Sequence, residues 1–151
     1  MADDSDSLEA RVRRLEDIDA IRRLLQDYRT CLDGKDFRGY ADLFAADGEF
    51  IAGPGGEIHA KGRDAIFELV DGMRGSLLTD ALGDDCHAAV NDRIDVDGDG
   101  ATATSTWVYL VRGEGDVPEV SKVGRYNDVL TREDGRWKFL RREAPCDIPR
   151  V

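Results

Sequence analysis

The stretch "HAAVNDRIDVDGDGATATSTWVYLVR" (residues 87–112) decides the fold. Two runs rich in Val, Ile, Thr and aromatic residues flank "DGDG" at 97–100. β-Branched and aromatic runs on either side of a glycine-containing turn read as two antiparallel strands joined by a hairpin. The same letters also match the opening of a calcium loop, since Asp95, Asp97 and Asp99 alternate before Gly100. A calcium loop starting at Asp95 needs a bidentate Glu at its twelfth position. That position holds Thr106, so the hairpin is preferred. Downstream, "SKVGRYNDVLTR" (121–132) and "RWKFLRREA" (136–144) have the same character, set off by "GEGDVPE" and "EDG". Four strands in an antiparallel meander are expected.

Upstream the period changes. From Leu8 the apolar positions are Leu8, Val12, Leu15, Ile18, Ile21, Leu25, Tyr28 and Leu32, with Gly34 as a stop signal. Steps of three and four mark one buried face of a helix. "KDFRGYADLFAADGEF" (35–50) reads as a second, short helix capped by Asp36, with Phe37, Tyr40, Leu43 and Phe44 on its apolar face. "ADG" at 46–48 then makes a turn, "EFIA" a strand and "GPGGE" a loop. "GRDAIFELVDGMRG" (62–75) reads as a third helix with Ala65, Ile66, Leu69, Val70 and Met73 inward. Helices followed by long strands give an α+β domain with helices packed on a curved sheet.

The chain has 151 residues and a net charge of −11, with 41% hydrophobic and 35% charged residues. That is the size of one globular domain, expected over residues 8–151 after a disordered acidic leader at 1–7. No basic stripe argues for nucleic acid, and the charge disfavours an anionic membrane surface. No apolar run approaches the ~20 residues of a membrane span. Cysteines at 31, 86 and 146 form no Cys-x-x-Cys, which fits a reducing cytoplasm. The glycine-rich "GPGGEIHAKG" spells no phosphate loop, and His59 within it reads as a solvated loop residue. The two histidines form no ligand cluster, so no metal is expected.

His87 opens the first long strand. Its neighbour Cys86 points to the opposite face, which discounts a Cys–His dyad. Asp33 ends the first helix, and Tyr28 lies on that helix's buried face. At 100° per residue, Asp33 lies about 140° around from Tyr28. The two share a site only if the chain unwinds near Gly34. A carboxylate beside an imidazole builds a general base, and a buried phenol can donate to a developing oxyanion.

The strings "IRRLLQDYRTCLDGKDFRGYADLFAADGEF", "KGRDAIFEL", "CHAAVNDRIDVDGDGATATSTWVYL" and "GRYNDVLTREDGRWKFLRRE", in that order, resemble the SnoaL-like branch of the nuclear transport factor 2-like superfamily. The resemblance runs from about Leu15 to Glu143. It implies a cone-shaped α+β barrel, in which a strongly curved, mainly antiparallel sheet wraps the N-terminal helices around a pocket. The subgroup of scytalone dehydratase and bile acid 7α-dehydratase implies catalytic roles for His87, Asp33 and Tyr28. It also implies one for Arg142, with Arg141 as rival. Strict alternation from Trp137 favours Arg141, so Arg142 requires a bulge. The expected activity is a cofactor-independent dehydratase-type lyase on a small cyclic or aromatic substrate. An isomerase or polyketide cyclase and a non-catalytic ligand-binding module are the alternatives. Tyr40, Phe44, Phe50, Trp107, Tyr109 and Tyr126 are candidate pocket walls, with at least half of them expected to be plain core. A homo-oligomer, trimer or dimer, is implied as well.

Overall fold

The structure, a computed structural model, describes residues 7–79 and 81–150. Its elements are α1 (Leu8–Asp33), α2 (Phe37–Asp42), β1 (Phe44–Ala52), β2 (Ile58–Lys61), α3 (Arg63–Asp71), β3 (Asp85–Asp97), β4 (Gly100–Arg112), β5 (Pro118–Glu133), β6 (Arg136–Ala144) and β7 (Cys146–Ile148). The strands form one sheet in the order β2-β1-β6-β5-β4-β3, with β7 added to β5. The sheet is curved and does not close on itself. The expected meander runs from β3 to β6, and every pairing within it is antiparallel. The β1–β6 pairing is parallel, and the pattern of neither strand announced it.

Helix α1 lies across the sheet, meeting β3 and β6. Its buried residues are Ile21, Leu24, Leu25, Tyr28 and Leu32. The apolar stripe is therefore only half used, because Leu8, Val12 and Leu15 are exposed. The helix outruns the sheet at its N-terminal end. Ser7 caps it by accepting from the Ala10 N–H, so Ser7 belongs to the domain rather than the leader. The rest of the expected leader, residues 1–6, lies outside the described residues.

Three further expectations need correction. α2 stops at Asp42, and Phe44 is already in β1, which takes in the "ADG" expected as a turn. The register between β1 and β6 shifts between Phe44 and Glu49, so this irregular strand reads as a turn locally. His59 sits on β2, where its Nε2 lies 2.9 Å from Glu49 on β1. A four-residue strand is too short to show a period. In α3, Ile66 and Val70 are buried, Ala65 is exposed, and Met73 lies beyond the helix end.

The core joins Ile21, Leu24, Phe37, Phe44, Ile66, Leu130 and Phe139 with the aromatic residues of the sheet. One contact is tight enough to test. Trp107 on β4 lies opposite Gly124 on β5. A Cβ at 124 would stand 2.2 Å from the Pro145 carbonyl and 2.4 Å from the Trp107 ring. Gly124→Ala is expected to cost about 2 kcal/mol or more in chemical denaturation, because neither backbone nor indole can withdraw freely. Wild-type stability in that variant would contradict the packing described.

Candidate functional site

Helix α1 ends at Asp33, and Gly34 caps it in an ordinary helical conformation, so the chain does not unwind. Asp33 reaches from the helix end to β3, at the edge of the sheet. Its Oδ1 and Oδ2 accept from the backbone N–H of His87 at 3.1 and 3.0 Å. Oδ1 also meets the ring Nδ1 of His87 at 2.7 Å. A carboxylate can only accept, so Nδ1 carries a proton, and in the neutral ring Nε2 keeps its lone pair. Nε2 has no hydrogen-bond partner among the described residues. The Arg29 guanidinium donates to the His87 carbonyl at 3.5 Å.

His87 lines a cavity of about 240 Å³, whose wall is mainly apolar. Tyr28 and Tyr40 line it from the helices and Phe50 from β1. Trp107, Tyr109 and Tyr126 line it from the sheet. Met73, Leu77 and Leu78 border it from the segment after α3. Of the six candidate wall residues, Phe44 alone is absent; it is fully buried behind Tyr40 and Phe50. All six belong to the buried core as well, because the inner face of a curved sheet is at once core and cavity wall. Asp33 is not among the lining residues and acts from behind the imidazole. The 140° between Tyr28 and Asp33 is thus bridged by His87, which touches one and shares the cavity with the other.

The Tyr40 and Tyr28 hydroxyls are hydrogen-bonded to each other at 2.8 Å. Burial, reinforced by the neighbouring Tyr40, holds Tyr28 well above the usual phenol range, so it stays a neutral donor. Behind it lies Arg142, only 1% exposed. Its guanidinium stands 3.6 Å from the Tyr126 ring centre, 4.0 Å from that of Tyr28 and 4.5 Å from that of Phe139. Arg142 reaches this place through a bulge in β6: Leu130 pairs with Phe139 but Val129 with Arg141, leaving Leu140 extra. Arg141 is exposed in consequence. Arg142 does not line the main cavity; it is separated from it by the aromatic rings. Its Nε lies 3.1 Å from Oδ1 of Asp128, but the two groups are not aligned for a hydrogen bond. Burial pushes the Asp128 carboxyl up to about 6, against the pull of Arg142.

A second polar cluster went unread in the sequence. Asp85, two residues before His87 on the same face, accepts from Lys35 Nζ at 2.7 Å, from the Tyr109 hydroxyl at 2.9 Å and from the Thr79 N–H at 3.2 Å. The Tyr109 ring in turn packs on the His87 ring at 4.6 Å. Lys35 takes a left-handed conformation at φ 59° to make this contact. In sequence, "DGK" and "GDDC" look like loop polarity, and only tertiary folding joins them. Among the described residues, no group of three or more His, Cys, Asp or Glu side chains could hold a metal.

Burial raises the Asp85 carboxyl, but its bonds from Lys35, Tyr109 and Thr79 outweigh that and leave it below the ordinary carboxylate value. A depressed folded-state value stabilises the fold above the unfolded value of about 3.9 and loses that contribution as pH falls through the folded one. Asp85→Asn is therefore expected to cost about 3 kcal/mol at neutral pH, because Lys35 loses its buried partner. The gap to wild type should close below about pH 4, as measured by urea unfolding across pH. A gap unchanged at pH 3 would contradict the assignment.

The comparisons with known proteins agree with this fold. A family model described as a SnoaL-like domain matches residues 13–143. No curated protein matches the chain. Among solved structures, a nuclear transport factor 2-like protein with a cystatin-like fold from Novosphingobium aromaticivorans is 31% identical. It superposes with a TM-score of 0.83 over 99% of this chain and 93% of its own. A protein from the same organism, provisionally assigned as a scytalone dehydratase, is 29% identical, with a TM-score of 0.73 over 89% of this chain and 87% of its own. ActVI-ORFA from Streptomyces coelicolor is 26% identical, with a TM-score of 0.73 over 86% of this chain and 96% of its own. Since the family model spans the helices, the Asp33–His87 contact and the meander alike, the chain belongs to the SnoaL-like domain family.

Proposed function

We propose that the protein is a cofactor-independent lyase. It would remove water by β-elimination from a small cyclic or aromatic substrate. The observation that carries this reading is the Asp33–His87 contact at 2.7 Å, set so that Nε2 is the free ring nitrogen of a residue lining an apolar cavity. His87 takes a proton from the carbon next to an electron-withdrawing group. The C–H electron pair becomes the new double bond and the C–O bond at the neighbouring carbon breaks. The hydroxyl leaves as water with the proton that His87 has just taken, so the step is redox-neutral. Asp33 holds the tautomer and stabilises the imidazolium. Tyr28 donates to the developing enolate oxygen. Arg142 acts through the rings of Tyr28 and Tyr126, supplying positive potential behind the donor. The solved relative provisionally assigned as a scytalone dehydratase supports the reaction class. A cytoplasmic homo-oligomer is part of the same proposal, and sedimentation equilibrium decides its order.

A panel of β-hydroxy cyclic ketones, followed by enone absorbance and product mass, tests the proposal. Loss of one water is expected; a product of unchanged mass would favour an isomerase or cyclase. His87→Ala should lower turnover 10²–10⁴-fold, roughly what a positioned base contributes. Asp33→Asn should lose much of the same factor, and the double variant little more, because the two act as a unit. Tyr28→Phe should lose less. Wild-type turnover from a correctly folded His87→Ala protein would refute the role of His87.

A further inference from the structure

Lys122 is set apart from the other cations of this chain. On β5 the inward positions are Gly124, Tyr126, Asp128 and Leu130, all buried. Counting back by two places Lys122 on the same concave face. The register agrees, since Lys122 lies directly opposite the inward-facing Tyr109. A bulge follows at once: Leu110 pairs with Val120, leaving Ser121 extra, and the inward alternation of β5 begins at Lys122. Among the described residues lining the cavity, Lys122 is the one lysine or arginine. The one carboxylate there is Glu57, whose Oε2 accepts from the Gly55 N–H at 2.8 Å. Lys122 itself has no ion-pair partner among the described residues, although the chain carries 32 acidic residues against 21 basic ones. A half-buried lysine in an acidic protein, facing an apolar cavity whose one carboxylate accepts from the Gly55 N–H instead, is left to meet a charge that arrives from outside.

Its place relative to the base is fixed by the sheet. His87 pairs with Tyr109, and Tyr109 with Lys122, so the three form one row across β3, β4 and β5. Two strand spacings separate the backbones at its ends by about 9–10 Å. Tyr109, held by Asp85, packs on His87 and forms the floor between the two.

We propose that Lys122 binds an anionic group of the substrate, and that the substrate class is therefore a cyclic or aromatic compound carrying a carboxylate at the end remote from the reacting carbon. The ring lies over Tyr109 and Trp107, the acidic C–H faces His87 and the carboxylate faces Lys122. This inference rests on the reading of the cavity as a substrate site, but its test does not depend on turnover.

The test is calorimetric titration at pH 7.5 with 2-naphthoate and its neutral counterpart 2-naphthamide. Wild-type protein should prefer the carboxylate by about tenfold or more, as a charge-assisted bond in a low-dielectric pocket would give. Lys122→Met should erase that preference while leaving affinity for the amide within about twofold. Lys122→Arg should keep it. Equal binding of the two probes by wild-type protein, or a carboxylate preference that survives Lys122→Met, would overturn the proposal. If neither probe binds, the cavity does not take aromatic ligands, and this inference falls with it. If the carboxylate preference holds but no elimination is found with any carboxylated substrate, the lyase reading fails and the anion site stands.

Discussion

The Asp33 carboxylate meeting both the backbone N–H and the ring of His87 is the contact on which the rest of this molecule depends. β3 is the last strand of the sheet, and an edge strand presents N–H groups with no strand to receive them. Asp33 takes one of these, which pins the end of α1 to the rim of the sheet. The same carboxylate takes the ring proton of the same residue. One side chain therefore ties α1 to the sheet edge, orders the imidazole and fixes its tautomer. Structure and chemistry draw on a single contact, and no substitution at Asp33 separates them fully.

Around that contact the cavity has two kinds of support. On one side, Tyr40, Tyr28, Tyr126 and Arg142 form a buried aromatic and cationic stack, with the Asp128 carboxyl beside the guanidinium. On the other, Lys35, Asp85 and Tyr109 form a largely buried polar chain that ends against the face of the imidazole. The Thr79 N–H bonded to Asp85 ties in the segment that borders the cavity beyond α3. A group of this kind holds its place because each member is satisfied; losing one leaves a charge without water or partner.

Much of this was legible in the sequence, and the reasons for success and failure are physical. The hairpin at 87–112 could be read because β-branched alternation and a glycine turn are local signals. Asp33, His87, Tyr28 and Arg142 are named by the order of the family motifs, and the bulge that Arg142 needs to face inward lies at Leu140. Local signals failed where long-range pairing decides. The parallel β1–β6 contact overrode the turn chemistry of "ADG", and among the described residues nothing buries the helix stripe of Leu8, Val12 and Leu15. Lys35 and Asp85 carry no periodic signal at all. They lie 50 positions apart and meet only because α1 turns back at Gly34 beside the start of β3.

The central claim is that Asp33 fixes His87 as the tautomer protonated at Nδ1, with Nε2 free in the cavity. Long-range ¹H–¹⁵N correlation spectra of the histidine rings test it directly, and the chain has only His59 and His87 to distinguish. The account predicts, for neutral His87, a pyrrole-type Nδ1 and a pyridine-type Nε2, and loss of this bias in Asp33→Asn. A His87 ring protonated mainly at Nε2 in the wild-type protein would contradict it.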